Sequence, residues 1–398
     1  MDKNINSVHF DRKREKTPVT VKQFGLANAK KVYNFHRSFP EYKETPLVNL
    51  ASLAERLGVA SIHVKDESYR FGLNAFKVLG GSYCLGTYIA DCLNTDISEL
   101  SYEKIISRSV KEKLGEITFV TATDGNHGRG IAWTANRLGQ KSVVYMPKGS
   151  SVERLNNIKA LGSDASITQV NYDDTVRFAS QSAEKNGWVL VQDTAWEGYE
   201  DIPTRIMEGY TTMAYEIVDQ LGEEKPTHIF LQAGVGAMAG AITGFFADLY
   251  GAENCPIITI VEPQKADCIY KTAYANDGQL HKVEGDMDTI MAGLACGEPC
   301  SIGWDILKNY ADHFISMPDC VAAKGMRILG NPLGDDQRIV SGESGAATLG
   351  FVAEALMNKE LSDLKETIGL CEDSRILCIS TEGDTDRDNY RKIVWDGL

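Results

Sequence analysis

From residue 117 onward, short β-branched or apolar runs alternate with stretches of helical spacing, and this alternation leaves the chain few folds to choose from. The runs at 117–121, 142–146, 166–170 and 188–192 are separated by helical stretches near 126–138, 151–161 and 173–186. A second set follows at 228–232, 257–261, 314–317 and 376–380, again with helical segments between. Strands that alternate with helices must be joined by crossovers, which makes the sheet parallel and covers it with helices. The pattern predicts an α/β protein of two domains, each a mostly parallel sheet covered by helices. The smaller α/β domain is expected over 91–205 and the larger over 1–90 and 206–398. With 398 residues there is ample chain for two cores. No internal repeat or low-complexity linker interrupts it.

Charge narrows the partners. Lys and Arg number 41 against 55 Asp and Glu, a net charge of −14. An acidic surface repels phosphate backbones and anionic lipid, so neither nucleic acid nor a membrane surface is an expected partner. The charged first sixteen residues do not read as a secretory signal, and the nine cysteines form no CxxC pair. They read as reduced thiols, and a cytoplasmic location is expected. The seven histidines show no ligand spacing, so no metal site is expected.

Between Lys225 and Asp248 lie 22 uncharged residues, long enough to span a bilayer. Pro226, His228, Gln232 and glycines at 234, 236, 240 and 244 argue instead for a buried strand, a glycine turn and a buried helix. The segment 47–57 has helical spacing, whereas 61–66 alternates like a short strand.

In open parallel sheets ligands bind beyond the carboxyl ends of the strands, and four loops there carry chemistry. Gly234-Val235-Gly236-Ala237-Met238-Ala239-Gly240 follows the run HIFLQA. Its glycines allow backbone N–H groups to converge on an anion, a single phosphate by preference. A structural turn is the plainer reading. A dinucleotide site, with Glu262 holding a ribose, is another. In Asn74-Ala75-Phe76-Lys77-Val78-Leu79-Gly80-Gly81 a lysine sits among apolar neighbours. A desolvated lysine forms Schiff bases readily, but a helical lysine can also snorkel to the surface. Thr123-Asp124-Gly125-Asn126-His127-Gly128 gathers backbone donors, a carboxylate and an amide. Asp124 could equally be a helix N-cap and His127 a structural histidine. Asp193 lies in Gln192-Asp193-Thr194, also past a strand. If both strands share one parallel sheet, Asp124 and Asp193 emerge on the same edge as a pair of acid–base groups. A solvated turn is the alternative for Asp193.

Taken together, these motifs resemble the fold type II pyridoxal-phosphate enzymes, the tryptophan synthase β and threonine dehydratase group. The blocks KDESYRFGLNAFK (65–77), TDGNHGRG (123–130), QDTAWEGY (192–199), LQAGVGAMAG (231–240), VEPQKADCIY (261–270), MAGLACGEP (291–299), SGESGA (341–346) and STEGDTD (380–386) look most like its diaminopropionate ammonia-lyase family. The resemblance runs over most of the chain beyond residue 45, and the first 45 residues read as uninformative.

Carried over position by position, the resemblance makes Lys77 the lysine that holds pyridoxal phosphate. Gly234, Val235, Gly236, Ala237 and Met238 become the phosphate cradle, with Asn126 beside the ring hydroxyl and Ser380 facing the pyridine nitrogen. A neutral hydroxyl there leaves the nitrogen less protonated, which suits elimination over transamination. The implied reaction is α,β-elimination from D- and L-2,3-diaminopropionate to pyruvate and two ammonia. Thr123, Asp124, Gly125 and His127 would receive the substrate carboxylate. Asp124 would be the base for the D-isomer, and Lys77 or Asp193 the base for the L-isomer. Asp193 could also grip the β-ammonium. A serine/threonine dehydratase or a cysteine synthase-like enzyme is the alternative. The family implies a homodimer. Cys268 and Cys296 lie in blocks that the resemblance places near the active site. They are expected either to pair, if their Cα atoms come within disulfide range, or to stay reduced.

Overall fold

The computed structural model describes residues 4–14, 16, 17, 19–123 and 125–397, and it falls into two compact units. One comprises Met1–Leu26, Glu44–Tyr69 and Met213–Leu398; the other comprises Ala27–Lys43 and Arg70–Thr212. The expected small-domain span, 91–205, lies inside the second unit, which also takes in the helix that follows Lys77. The strands, in chain order, are β1 (Asn6–His9), β2 (Leu47–Asn49), β3 (Ser61–Asp66), β4 (Thr118–Ala122), β5 (Lys141–Met146), β6 (Asp164–Ile167), β7 (Val189–Leu190), β8 (His228–Gln232), β9 (Ile257–Pro263), β10 (His313–Met317) and β11 (Arg375–Ser380).

The first unit holds a seven-stranded sheet in the order β1-β10-β9-β8-β11-β3-β2. Its five inner strands are parallel, and the two edge strands pair antiparallel to their neighbours. The second unit holds a four-stranded parallel sheet, β6-β5-β4-β7. Mostly parallel sheets under helices are what the alternating pattern required.

Pleating explains the small sheet's two cores. Val143 and Val144 are successive on β5 and point to opposite faces. Val143 packs with Val120, Ala122, Ala179 and Ala183, the last two on the helix Tyr172–Asn186. Val144 packs with Ala132, Met146, Ile158 and Ala165 under the helices Asn126–Arg137 and Val152–Ala160. Each fully buried Val or Ile contributes about 1.5–3 kcal/mol over an exposed one, so a strand read as apolar on both faces suits this position.

Two segments depart from the sequence reading. The stretch 47–57, expected as helix, begins as β2 and turns helical at Ala51–Leu57. Leu47, Val48 and Asn49 pair with Lys65, Val64 and His63, so a ladder to a distant strand overrides the local spacing. The first 45 residues supply β1, which closes one sheet edge, and the helix Leu26–Arg37. The uncharged stretch folds as β8, a turn and the helix Ala237–Tyr250. Among the described residues no helix is long and apolar enough to cross a membrane.

In the first unit, Lys65 and Glu216 form an ion pair of 2.6 Å, with both side chains fully buried. Lys65 Nζ also donates to the Thr45 carbonyl and to Gln220 Oε1, at 2.8 Å each. An ammonium group, with three hydrogens, can donate to each of these acceptors.

Candidate functional site

In the second unit the site is built on Lys77. It stands at the N-terminus of the helix Val78–Cys92, most of whose residues are buried. Gly130 fixes where that helix begins, because a Cβ at 130 would lie 2.9 Å from Val78 Cα and 3.0 Å from Val78 N. Lys77 is therefore not a lysine snorkelling from a helix surface. Its Nζ donates a short hydrogen bond to Asp193 Oδ2, and its side chain is 22% exposed against 8% for Asp193.

Burial alone works against a charged Asp193. Lys77, and then His127, overcome that and hold its carboxyl well below the usual range. His127 Nε2 donates to the Val191 carbonyl at 2.9 Å, and its Nδ1 lies 3.9 Å from Asp193 Oδ2. The histidine is thus anchored to the backbone and still faces the carboxylate. Asp193 is no solvated turn residue.

The segment carrying Asp193 is held by groups that the motif reading passed over. Gln192 Oε1 accepts from Thr121 Oγ1 and the Ala122 amide. The Tyr199 hydroxyl accepts from the Gln192 amide and donates to the Leu190 carbonyl. Both residues lie in the block QDTAWEGY. β4 and β7 are parallel neighbours, so the loops after them leave the same sheet edge. Asp124 lies outside the described residues. Thr123 Oγ1 accepts from the Gly125 and Gly128 amides at 3.0 and 3.2 Å and so braces the loop, and Asn126 opens the following helix.

The first unit has its own set of groups beyond its strand ends. Gly236 opens the helix Ala237–Tyr250 with φ +89°, a conformation that favours glycine. The loop 234–238 thus leads β8 directly into a helix N-terminus, an arrangement suited to an anion. Ser380, fully buried at the end of β11, donates to Ser341 Oγ at 2.8 Å. Ser341 belongs to the block SGESGA, yet pattern reading had no way to pair it with Ser380.

Glu262, considered as a ribose ligand, is occupied otherwise. Its two oxygens accept from the Ile269 and Tyr270 amides at 2.9 and 2.6 Å, and burial pushes its carboxyl well above the ordinary range. That caps a helix start and removes the acid a dinucleotide site would need. Cys268 and Cys296 are not joined by a disulfide. They flank Gly234: Cys268 Sγ lies 3.5 Å from its carbonyl oxygen, and a Cβ at 234 would meet Cys296 Sγ at 3.2 Å.

Within the second unit, an amine beside a carboxylate suits an aldehyde such as that of pyridoxal phosphate; within the first, a glycine loop opening a helix suits a phosphate, and a buried hydroxyl ends a strand. Comparison with known proteins decides the matter: the family described as pyridoxal-phosphate dependent enzyme matches residues 39–373. The chain belongs to the pyridoxal-phosphate dependent enzymes. Pyridoxal phosphate is its cofactor, and its fold is that of the fold type II members. Within this family it groups with the diaminopropionate ammonia-lyases. It is 54% identical to the diaminopropionate ammonia-lyase of Salmonella typhimurium over 370 residues, which cover 92% of this chain and 91% of the relative. A crystal structure of the Escherichia coli diaminopropionate ammonia lyase in complex with D-serine superposes with a TM-score of 0.92 at 48% identity, covering 99% of this chain and 98% of that one. The same enzyme in complex with an aminoacrylate-PLP azomethine reaction intermediate gives a TM-score of 0.90 at 48% identity, covering 100% and 98%.

Proposed function

We propose that the chain catalyses α,β-elimination of ammonia from 2,3-diaminopropionate, taking both D- and L-isomers and yielding pyruvate and two ammonia. The observation that carries this reading is Asp193, a buried carboxylate held ionised at the amine of Lys77. A substrate with a second ammonium group needs such an anion, whereas serine and threonine do not. This argues against the serine/threonine dehydratase and cysteine synthase-like alternatives.

In this proposal Lys77 carries the cofactor, the loop Gly234–Met238 holds its phosphate, Asn126 lies at its ring hydroxyl and Ser380 at its ring nitrogen. When bound, pyridoxal phosphate supplies the electron sink that lets a Cα–H bond break. Thr123, Asp124, Gly125 and His127 orient the substrate carboxylate. Asp124 takes the Cα proton of the D-isomer. Lys77, once released by the substrate amine, or Asp193 takes that of the L-isomer from the opposite face. Asp193 also steadies the β-amino group, which leaves as ammonia. The released enamine then hydrolyses in water to pyruvate and the second ammonia. The homodimer and the cytoplasmic setting are part of the same proposal.

The test is to follow pyruvate from each isomer and from serine, with wild type and Asp124→Asn. Turnover on both diaminopropionate isomers should exceed that on serine. The variant should lose about 10²–10⁴-fold on the D-isomer, as expected for a missing general base, and far less on the L-isomer. Equal losses on the two isomers would reduce Asp124 to a cap or a shared ligand. Serine as the better substrate would overturn the whole reading.

A further inference from the structure

The ladder between β8 and β11 runs from His228↔Ile376 to Phe230↔Cys378 and stops there. Beyond it, Leu231 and Gln232 continue their pairing with β9, and Ile379 and Ser380 continue theirs with β3. The two strands therefore part where β8 leads into the glycine loop and β11 presents Ser380. One side chain bridges the gap. Gln232 Nε2 donates to the Ile379 carbonyl at 3.0 Å and to Thr381 Oγ1 at 2.8 Å, gripping the residues on either side of Ser380. Gln232 itself is two residues before Gly234 and 2% exposed. Its carbonyl oxygen, Oε1, is buried with no hydrogen-bond partner among the described residues.

We infer that Gln232 is a positioning residue that sets the spacing between the phosphate loop and Ser380, and through it the contact of the Ser380 hydroxyl with the cofactor's ring nitrogen. This rests on the roles proposed above for the loop 234–238 and Ser380. A backbone ladder cannot do this work, because it has ended. A hydrophobic residue of similar size would fill the volume without holding the strands in register. Ser341 restrains the Ser380 side chain while Gln232 restrains its backbone, so the hydroxyl is located from two directions.

The experiment compares wild-type, Gln232→Leu, Thr381→Val and Ser380→Ala holoenzymes. Three readouts are needed: the visible spectrum against pH, the rate of pyridoxal phosphate loss on dialysis, and thermal stability. Gln232→Leu should shift the pH dependence of the cofactor band in the same direction as Ser380→Ala and speed cofactor loss about tenfold. Thr381→Val, which removes one of the two acceptors and leaves the strand intact, should produce a smaller shift of the same sign. It keeps the test available if Gln232→Leu fails to fold. A lowered melting temperature with an unchanged pH curve and loss rate would make Gln232 a sheet cross-link and overturn the inference. A Ser380→Ala enzyme with a wild-type pH curve would overturn the ring-nitrogen role of Ser380, a failure that this arm alone detects, and the inference with it.

Discussion

The Lys77 amine donates directly to the Asp193 carboxylate, and both side chains come from one compact unit although 116 residues separate them. The pair is more than an ordinary ion pair, because Asp193 is buried and its charge depends on Lys77 and His127. Asp193→Asn should lower turnover of both isomers by about 10²–10⁴-fold, measured as steady-state pyruvate release. A loss restricted to the L-isomer would instead make Asp193 that isomer's base. Since the folded carboxyl titrates below its unfolded value, the pair's stabilisation is complete above roughly pH 4 and fades as the pH falls further.

Gly130 sets the position of Lys77 through a backbone contact that no flexible side chain can relieve. Gly130→Ala should push Val78 away and move the lysine with it. A displacement near 1 Å from the productive geometry is enough for a loss of about 10²-fold in turnover. Stability should fall by about 1–3 kcal/mol, the usual effect of overpacking. Kinetics and urea unfolding on the same variant separate the two effects.

Glu343 provides a pH test of stability. Burial, and then the neighbouring Glu382, push its carboxyl up to about 7, while Asn389 donates to it. An acid whose pKa rises on folding favours the folded state below its unfolded value of roughly 4.3, and that advantage disappears as the pH climbs toward 7. Glu343→Gln keeps the acceptor for Asn389 and removes the titration. Its melting temperature relative to wild type should therefore rise between pH 5 and pH 8, by the equivalent of roughly 2–3 kcal/mol. A difference that stays flat with pH would show that Glu343 titrates normally.

The Lys65–Glu216 pair should behave as a buried charge pair. Lys65→Met or Glu216→Leu alone leaves its partner charged and desolvated, and each should destabilise the protein by about 3–5 kcal/mol. The double variant should recover much of that loss. Denaturant unfolding of the three variants completes the cycle, and additive losses would mean that the two groups do not depend on each other.

Much of the architecture was legible in the order of residues. Alternating β-branched and helical runs imply parallel sheets whatever the side-chain detail, because covalent connectivity and burial on both faces leave no other arrangement for them. Lys77 and the glycine loop stood out by residue type, the loop lying just past a strand end, whereas Ser380 was picked out only by the family resemblance. Local spacing failed where a distant partner decided the outcome. Leu47–Asn49 became a strand because β3 offered a ladder, and the polar opening segment became an edge strand because β10 had a side unpaired. Glu262 looked like a ligand acid until two amides seven and eight residues on claimed its oxygens. The pairing of Lys77 with Asp193, of Ser380 with Ser341, and of Gln232 with the two neighbours of Ser380 joins residues from 39 to 149 positions apart. Sequence determined which groups were present and on which strand ends they stood. The tertiary fold alone decided which of them share a hydrogen bond, because that depends on distances which spacing along the chain does not encode.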